Sequence, residues 1–196
     1  MRNIDEVRNC NRVLIALGGN IKGQKDSPLE QVSAAMCEIS QSGVEVNAIS
    51  RIYCTPSFPA GAGPDFVNAA LSCVTDLPPV AVMQMLHDIE ARAGRTRMQR
   101  WEPRILDLDL LAVGDMVCPD KQHFLQWAGL DMEDQKHLTP SELILPHPRL
   151  HERAFVLVPL MDIAPEWRHP VLGKTVAEMH AALDPADLDQ IRPVSQ

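Results

Sequence analysis

Two aspartates, one residue apart, stand at the end of an arginine-rich stretch, Arg100-Trp-Glu-Pro-Arg-Ile-Leu-Asp-Leu-Asp-Leu110. On a β-strand, side chains alternate between faces, so Asp107 and Asp109 share one face about 7 Å apart along the strand. Leu106, Leu108 and Leu110 then point the other way, toward a core. Two carboxylates on a rigid strand suit a hard, oxygen-seeking cation such as magnesium, which completes its shell with water and phosphate oxygens. Just upstream, Arg92, Arg95, Arg97, Arg100 and Arg104 stand against a single acid, Glu102. Each half alone has an ordinary explanation, an acidic solvent face or a solvated basic surface. Together, a carboxylate pair and an arginine cluster are what a phosphoryl group in transfer requires. Pro103 restricts its own backbone and that of Glu102, which helps to aim Arg104.

The rest of the composition narrows the setting. The chain has 196 residues, 45% hydrophobic and 22% charged, with a formal net charge of -8. That is an ordinary globular balance, and one domain spanning 1–196 is expected. An acidic chain with one tyrosine and three tryptophans is a poor platform for nucleic acid, which needs a positive field. A tight arginine cluster in such a chain points instead to a small polyanion. No apolar run approaches the roughly 20 residues needed to span a bilayer, and Met1 to Arg12 lacks a signal-peptide core. A cytoplasmic monomer, acting on small molecules and not at a membrane, is the expectation. The five cysteines are odd in number and never spaced C-x-x-C, which argues against both disulfides and zinc.

The elements that must position these residues can be read from periodicity. Val13 to Leu17 is a short buried strand ending in Gly18-Gly19-Asn20. Ser27-Pro28-Leu29-Glu30 is a capping box opening a helix with apolar positions Leu29, Val32, Met36 and Ile39, and Gly43 just past its end. Val44 to Tyr53 and Phe66 to Val74 read as strands. Pro78 and Pro79 open a second helix with the stripe Val82, Leu86, Ile89 and Ala93, stopped by Gly94. Leu106 to Val113 is a strand, and Gly114-Asp115 suggests a hairpin back from it. The order βαββαβ matches a ferredoxin-like α+β core, an antiparallel sheet with helices packed on it, here with a C-terminal extension. Residues 118–142 lack sustained periodicity and read as a surface insertion, with Leu125 and Trp127 as its packing candidates.

Two apparent motifs do not hold. Gly18 to Gly23 has the glycine spacing of a P-loop, but Gln24 and Lys25 follow where Lys and Ser/Thr are required. His147 and His151 are four apart but separated by Pro148, without the context of a helical zinc pair. No G-x-S-x-G elbow is present.

Taken with the signature Arg100-Trp101-x-Pro103-Arg104-x-Leu106-Asp107-Leu108-Asp109, several segments give the chain a family likeness. They are Leu17-Gly-Gly-Asn20, Ser50 to Pro56, Gly63 to Asn68, Pro146-His147-Pro148-Arg149 and Arg153-Ala-Phe155. Over most of its length the chain resembles the 6-hydroxymethyl-7,8-dihydropterin pyrophosphokinases of folate synthesis. The resemblance implies magnesium-dependent transfer of pyrophosphate from ATP to the hydroxymethyl group of a reduced pterin, releasing AMP. It implies that Asp107 and Asp109 bind two magnesium ions, and that Arg95 and Arg104 meet the phosphates and the developing charge. It places Trp101, His147, Arg153, Glu90 and Leu110 on the nucleotide side. It places Phe66 and Phe155 on the two faces of the pterin ring, with Asn68 and Thr55, Pro56 and Ser57 at its polar edge. The residues themselves agree in one place: Phe66 and Asn68, two apart on a strand, present a ring and an amide on one face. The chain departs from the family pattern at Glu102, where glycine is usual, and at Pro148, where an aromatic can stand. Residue chemistry alone leaves open an ordinary kinase releasing ADP and a nucleotide-sensing domain without turnover.

Overall fold

The computed structural model describes residues 12–57, 63–94 and 104–194. Strand β1 (Arg12–Gly19) is the centre of an antiparallel sheet, with β5 (Asp107–Val113) on one side and β4 (Phe66–Val74) on the other. The outer edge of β4 pairs with both β2 (Glu45–Ile49) and β3 (Tyr53–Thr55), and a two-residue β6 (Arg192–Pro193) continues the sheet beyond β3. The fold is the expected α+β arrangement. The strand expected over Val44 to Tyr53 is two strands. At the break, Ser50 stands in for the ladder: its N–H donates to the Ala70 carbonyl at 2.9 Å and its hydroxyl accepts from Ala70 N–H at 2.8 Å. The chain thereby bends without orphaning either backbone group.

Helices α1 (Pro28–Gln41) and α2 (Pro79–Arg92) cover one face of this sheet. Ser27 caps α1 by accepting from Glu30 N–H, and Gly43 follows the helix at φ +83°, a conformation that costs glycine little. Val32, Ala35, Met36 and Ile39 of α1, with Val82, Leu86 and Ile89 of α2, bury against Val13, Ile15 and Leu17 of β1 and Leu106, Leu108 and Leu110. A second core covers half of the opposite face. There α5 (Ala154–Ile163) lies on β4, and α6 (Val176–His180), opened by the Thr175/Glu178 capping box, packs on α5. Leu14, Ala70, Leu111 and Ala112 meet Val156, Leu157, Leu160 and Trp167 in that layer.

Two expectations about the middle of the chain need correction. Gly114, at φ +54°, makes a turn, but the chain does not return along β5; Cys118 instead bridges Leu145. Residues 118–142 contain helices α3 (Lys121–Ala128), capped by Asp120, and α4 (Met132–His137), capped by Asp131. The anchor of this insertion is Phe124, fully buried against His169, whereas Leu125 is exposed and Trp127 only half-buried. An eight-residue helix with one buried position gives too short a stripe for periodicity to reveal.

His169 is itself fully buried, and burial pushes its pKa down to about 4. A histidine held neutral in the folded state takes up its proton only on unfolding. Its stabilising contribution is therefore complete above about pH 6.5 and is lost as pH falls toward 4. Urea denaturation at pH 7 and pH 4.5 should show a loss on the order of 2–3 kcal/mol from this group. His169→Leu should flatten that part of the slope; identical slopes for the two proteins would contradict a neutral buried ring.

Candidate active site

The half of the sheet that α5 leaves uncovered carries the residues singled out by their chemistry. The ladder register aligns Asp107 with Gly18, Gly18 with Asn68, and Asn68 with Tyr53, one residue from each of four strands. The next row toward the covered half is Asp109, Ala16 and Ala70. On this face β1 reads Leu14, Ala16, Gly18, shrinking as it leaves the second core. Adjacent strands lie about 4.8 Å apart, so the backbones of Asp107 and Asn68 stand roughly 10 Å from each other across a glycine floor. A Cβ on Gly18 would come within 2.7 Å of Asn68 Oδ1, so the amide leans over the space that glycine leaves. Asn68 Nδ2 donates to Thr55 Oγ1 at 2.7 Å, which fixes the amide's orientation.

Asp107 and Asp109 are half-buried on the same face, and Leu108 between them is buried on the other. Arg104 forms an ion pair with Asp107. Its backbone is held from both sides by Asn20: Arg104 N–H donates to Asn20 Oδ1 at 2.7 Å, and Asn20 N–H donates to the Arg104 carbonyl at 2.9 Å. Asn20 Nδ2 also donates to the Pro64 carbonyl at 3.1 Å, so one buried side chain joins the turn after β1, the approach to β4 and the approach to β5.

β5 is the terminal strand on its side of the sheet, and its outer edge is where the nucleotide-side candidates attach. Leu108 N–H donates to Oε1 of the buried Glu90 at 2.7 Å, which satisfies an edge amide that no strand among the described residues reaches. His147 N–H donates to the Leu111 carbonyl at 2.7 Å. His147 Nδ1 accepts from Arg149 N–H at 3.1 Å. Its pKa is pushed down to about 3, by burial first and then by Arg153, with Asp107 acting in the opposite sense. A neutral ring that accepts at Nδ1 carries its proton on Nε2 and offers a hydrogen-bond donor. Arg153 begins α5; burial and Arg104 lower its pKa, while Asp109 and Asp107 oppose the shift. Arg104, Arg153, Asp107 and Asp109 are thus within each other's electrostatic reach. Leu110 packs its side chain in the helix-side core, which leaves only its main chain for a ligand.

On the opposite flank, Phe66 and Asn68 share the site face, with Thr55 paired to Phe66 and Ser57 buried beyond it. Pro56 follows β3 and is half-buried. Phe155, on the first turn of α5, is 39% exposed, and the Arg153 guanidinium lies over its ring at 5.6 Å from the centroid. A clamp that the sequence did not announce joins the two walls. Asp162, near the end of α5, accepts from Arg51 N, Nε and NH2 at 3.1, 3.1 and 2.6 Å and from the Tyr53 hydroxyl at 2.9 Å. Burial alone would raise the Asp162 pKa, but these donors hold it below the ordinary carboxylate value. Burial and the same bond push the Tyr53 hydroxyl up to about 12. Arg95 and Trp101 lie outside the described residues.

The donor set for a metal is two carboxylates on one strand with the guanidinium groups of Arg104 and Arg153 beside them. It fits magnesium, which takes oxygen ligands and keeps open positions, better than a closed nitrogen and sulfur shell. No helix among the described residues is long and apolar enough to cross a membrane.

Comparison with known proteins gives one consistent result. Residues 14–165 match the family described as 7,8-dihydro-6-hydroxymethylpterin-pyrophosphokinase (HPPK). Two relatives named 2-amino-4-hydroxy-6-hydroxymethyldihydropteridine pyrophosphokinase are similar over nearly the full chain. The one from Synechocystis is 32% identical over 97% of this chain and 84% of its own. The one from Methylorubrum extorquens is 35% identical over 92% of this chain and 98% of its own. Among solved structures, wild-type Plasmodium falciparum HPPK-DHPS aligns with a TM-score of 0.60 at 15% identity, which speaks to fold alone. That alignment covers 87% of this chain but spans only 44% of the longer protein.

Proposed function

Because this chain belongs to the 7,8-dihydro-6-hydroxymethylpterin-pyrophosphokinase family and is a pyrophosphoryl transferase of folate biosynthesis, we propose that it transfers pyrophosphate from ATP to 6-hydroxymethyl-7,8-dihydropterin with magnesium at Asp107 and Asp109. The observation that supports this most directly is the transverse row of Asp107, Gly18 and Asn68. It puts Asp107 and a fixed amide on one face with only Gly18 between them on the ladder, and Asp109 follows on the same face of β5.

In this reading the pterin occupies the Asn68 end. The Asn68 amide and the Thr55 to Ser57 backbone meet its polar edge, and Phe66 and Phe155 take its two faces. The polyphosphate occupies the carboxylate end, where Arg104 and Arg153 hold its oxygens in a partly desolvated setting that strengthens each contact. His147 donates from Nε2 on the nucleotide side, to which the family likeness alone assigns Arg95 and Trp101. Bound magnesium would neutralise phosphate charge and orient the chain of phosphates. The hydroxymethyl oxygen attacks the β-phosphorus, the bond from that phosphorus to the α–β bridging oxygen breaks, AMP departs and the hydroxyl proton is lost. With little covalent chemistry for the protein to do, its contribution is alignment of the two reactants and stabilisation of charge.

The deciding experiment incubates the protein with ATP, magnesium and the hydroxymethyl-dihydropterin and identifies the nucleotide product. AMP supports the proposal, ADP would make the protein an ordinary kinase, and no product would remove catalysis from this site. A finer test is Phe66→Ala, which should weaken pterin binding by roughly 1–3 kcal/mol, the scale of base-on-aromatic stacking, with ATP binding nearly unchanged. Calorimetry with each ligand separately would show it; a larger loss for ATP would place Phe66 elsewhere.

A further inference from the structure

Two buried imidazole nitrogens have no partner among the described residues, and they belong to neighbouring rings: Nε2 of His169 and Nδ1 of His151. The rings are edge-on, with centroids 6.5 Å apart, and Trp167 and Phe124 also pack on His169. Chemistry fixes where the protons are. His169 Nδ1 accepts from Val171 and Leu172 N–H, both at 3.2 Å, so its neutral ring is protonated on Nε2. His151 Nδ1 likewise lacks a partner, so beside a ring that presents an Nε2–H donor it stands as the acceptor side of a link. With Nδ1 engaged and Nε2 protonated, His169 has no lone pair for a metal ion. A direct N–H···N bond would hold the centroids about 5 Å apart, and one water between them about 6–7 Å apart. The observed spacing is the latter.

We infer that one buried water accepts from His169 Nε2–H and donates to His151 Nδ1, and that this link positions the nucleotide side of the site. Burying both groups unpaired would be costly, and a water is the usual remedy. His151 is the middle residue of a 3-10 turn, Leu150–Glu152, with His147 just before it and Arg153 just after. His169 sits in a rigid corner: its N–H donates to the Lys174 carbonyl at 2.9 Å, its carbonyl accepts from Gly173 N–H at 2.8 Å, and neighbouring Trp167 donates to the Gly114 carbonyl at 3.0 Å. The water ties the turn to that corner. The positioning role rests on the proposal that His147 and Arg153 serve the nucleotide; the water itself does not.

The test has two arms. Long-range proton–nitrogen NMR on the full chain at pH 7.5 should show Nε2-protonated rings for both histidines and cross-relaxation between the His169 Nε2 proton and water. A protonated Nδ1 on either ring, or scalar coupling across a direct N–H···N bond, overturns the water. In the second arm, His151→Leu and His169→Leu should each lower ATP affinity about tenfold, the low end for a contact that orients a ligand-binding residue. Pterin affinity should hold, the double variant should be no worse than either single one, and His151→Asn, whose amide oxygen replaces Nδ1, should recover most of the loss. Equal losses for both ligands, additive losses, or no recovery with Asn overturn the positioning role. A parent protein that binds no ATP would refute the nucleotide reading and that role with it, while the water still stands or falls on the NMR.

Discussion

Asp107→Ala and Asp109→Ala should each lose at least about 100-fold in pyrophosphoryl transfer while the protein stays folded, the scale expected when one electrostatic contributor to a transition state is removed. The sheet separates the two properties. Both carboxylates stand on the open face, and Leu106, Leu108 and Leu110 do the packing on the other. Truncating either aspartate removes a proposed metal ligand and leaves the core untouched. Without metal, losing Asp109 relieves its repulsion with Asp107 but also removes a counter-charge of the buried Arg153, two opposed effects, so the Asp109 variant should remain cooperatively folded with only a small change in melting temperature. Asp107→Ala also gives up the ion pair with Arg104, whose guanidinium is 35% exposed, and a pair that open is worth little. Asn at either site should recover only part of the rate, because a neutral amide oxygen is the weaker magnesium ligand. Turnover measured beside thermal melts, with and without magnesium and ATP, tests both halves. Near-normal turnover in either Ala variant would end the metal-site reading; a collapsed melt would mean that these side chains serve the core.

Arg104→Ala should reduce turnover by about 100-fold and ATP affinity far less, since a cation aimed at charge that develops in the transition state acts mainly there. The structure makes this variant interpretable. Asn20 holds the Arg104 backbone at both its N–H and its carbonyl, so removing the side chain leaves the approach to β5 in place. In the ligand-free protein the guanidinium rests on Asp107, from which phosphate oxygens can draw it without moving the backbone. Should kcat stay normal while KM for ATP rises, Arg104 binds substrate and transition state alike and its assigned role is wrong.

Much of this arrangement was legible from residue types because the site is built on a strand. A D-x-D on a strand fixes two side-chain directions at once, and so does F-x-N, which is why Asp107, Asp109, Phe66 and Asn68 could be placed on faces from period alone. The two main helices were equally plain, since each has a stripe and a stop, the first a capping serine and the second a pair of opening prolines. What stayed hidden depends on contacts distant in sequence. Asp162 is 111 residues from Arg51, and nothing near it marks it as the anchor of β3 and the turn before it. Glu90 could be suspected of a role but not of satisfying the exposed edge of β5. The break at Ser50 was invisible because a serine hydroxyl replaced a ladder bond without disturbing the alternation around it. The insertion hid its anchor, Phe124, by offering a single buried residue to a method that needs several.

The glycine floor has a consequence for how this chain can change length. The span from Asp107 to Asn68 is counted in strands, two steps of the ladder, and no packing interaction adjusts it. One residue inserted between Val13 and Leu17 would turn Gly18 to the helix side, bring a larger neighbour onto the floor and shift the alignment of β4 against β5 together. One residue inserted between Gly129 and Leu130, just past α3, alters neither register, because that segment does not belong to the ladder and lies beyond the Phe124–His169 anchor. A scan of single-residue insertions should therefore map the catalytic ruler directly, with activity vanishing along β1 and surviving at the surface of the insertion.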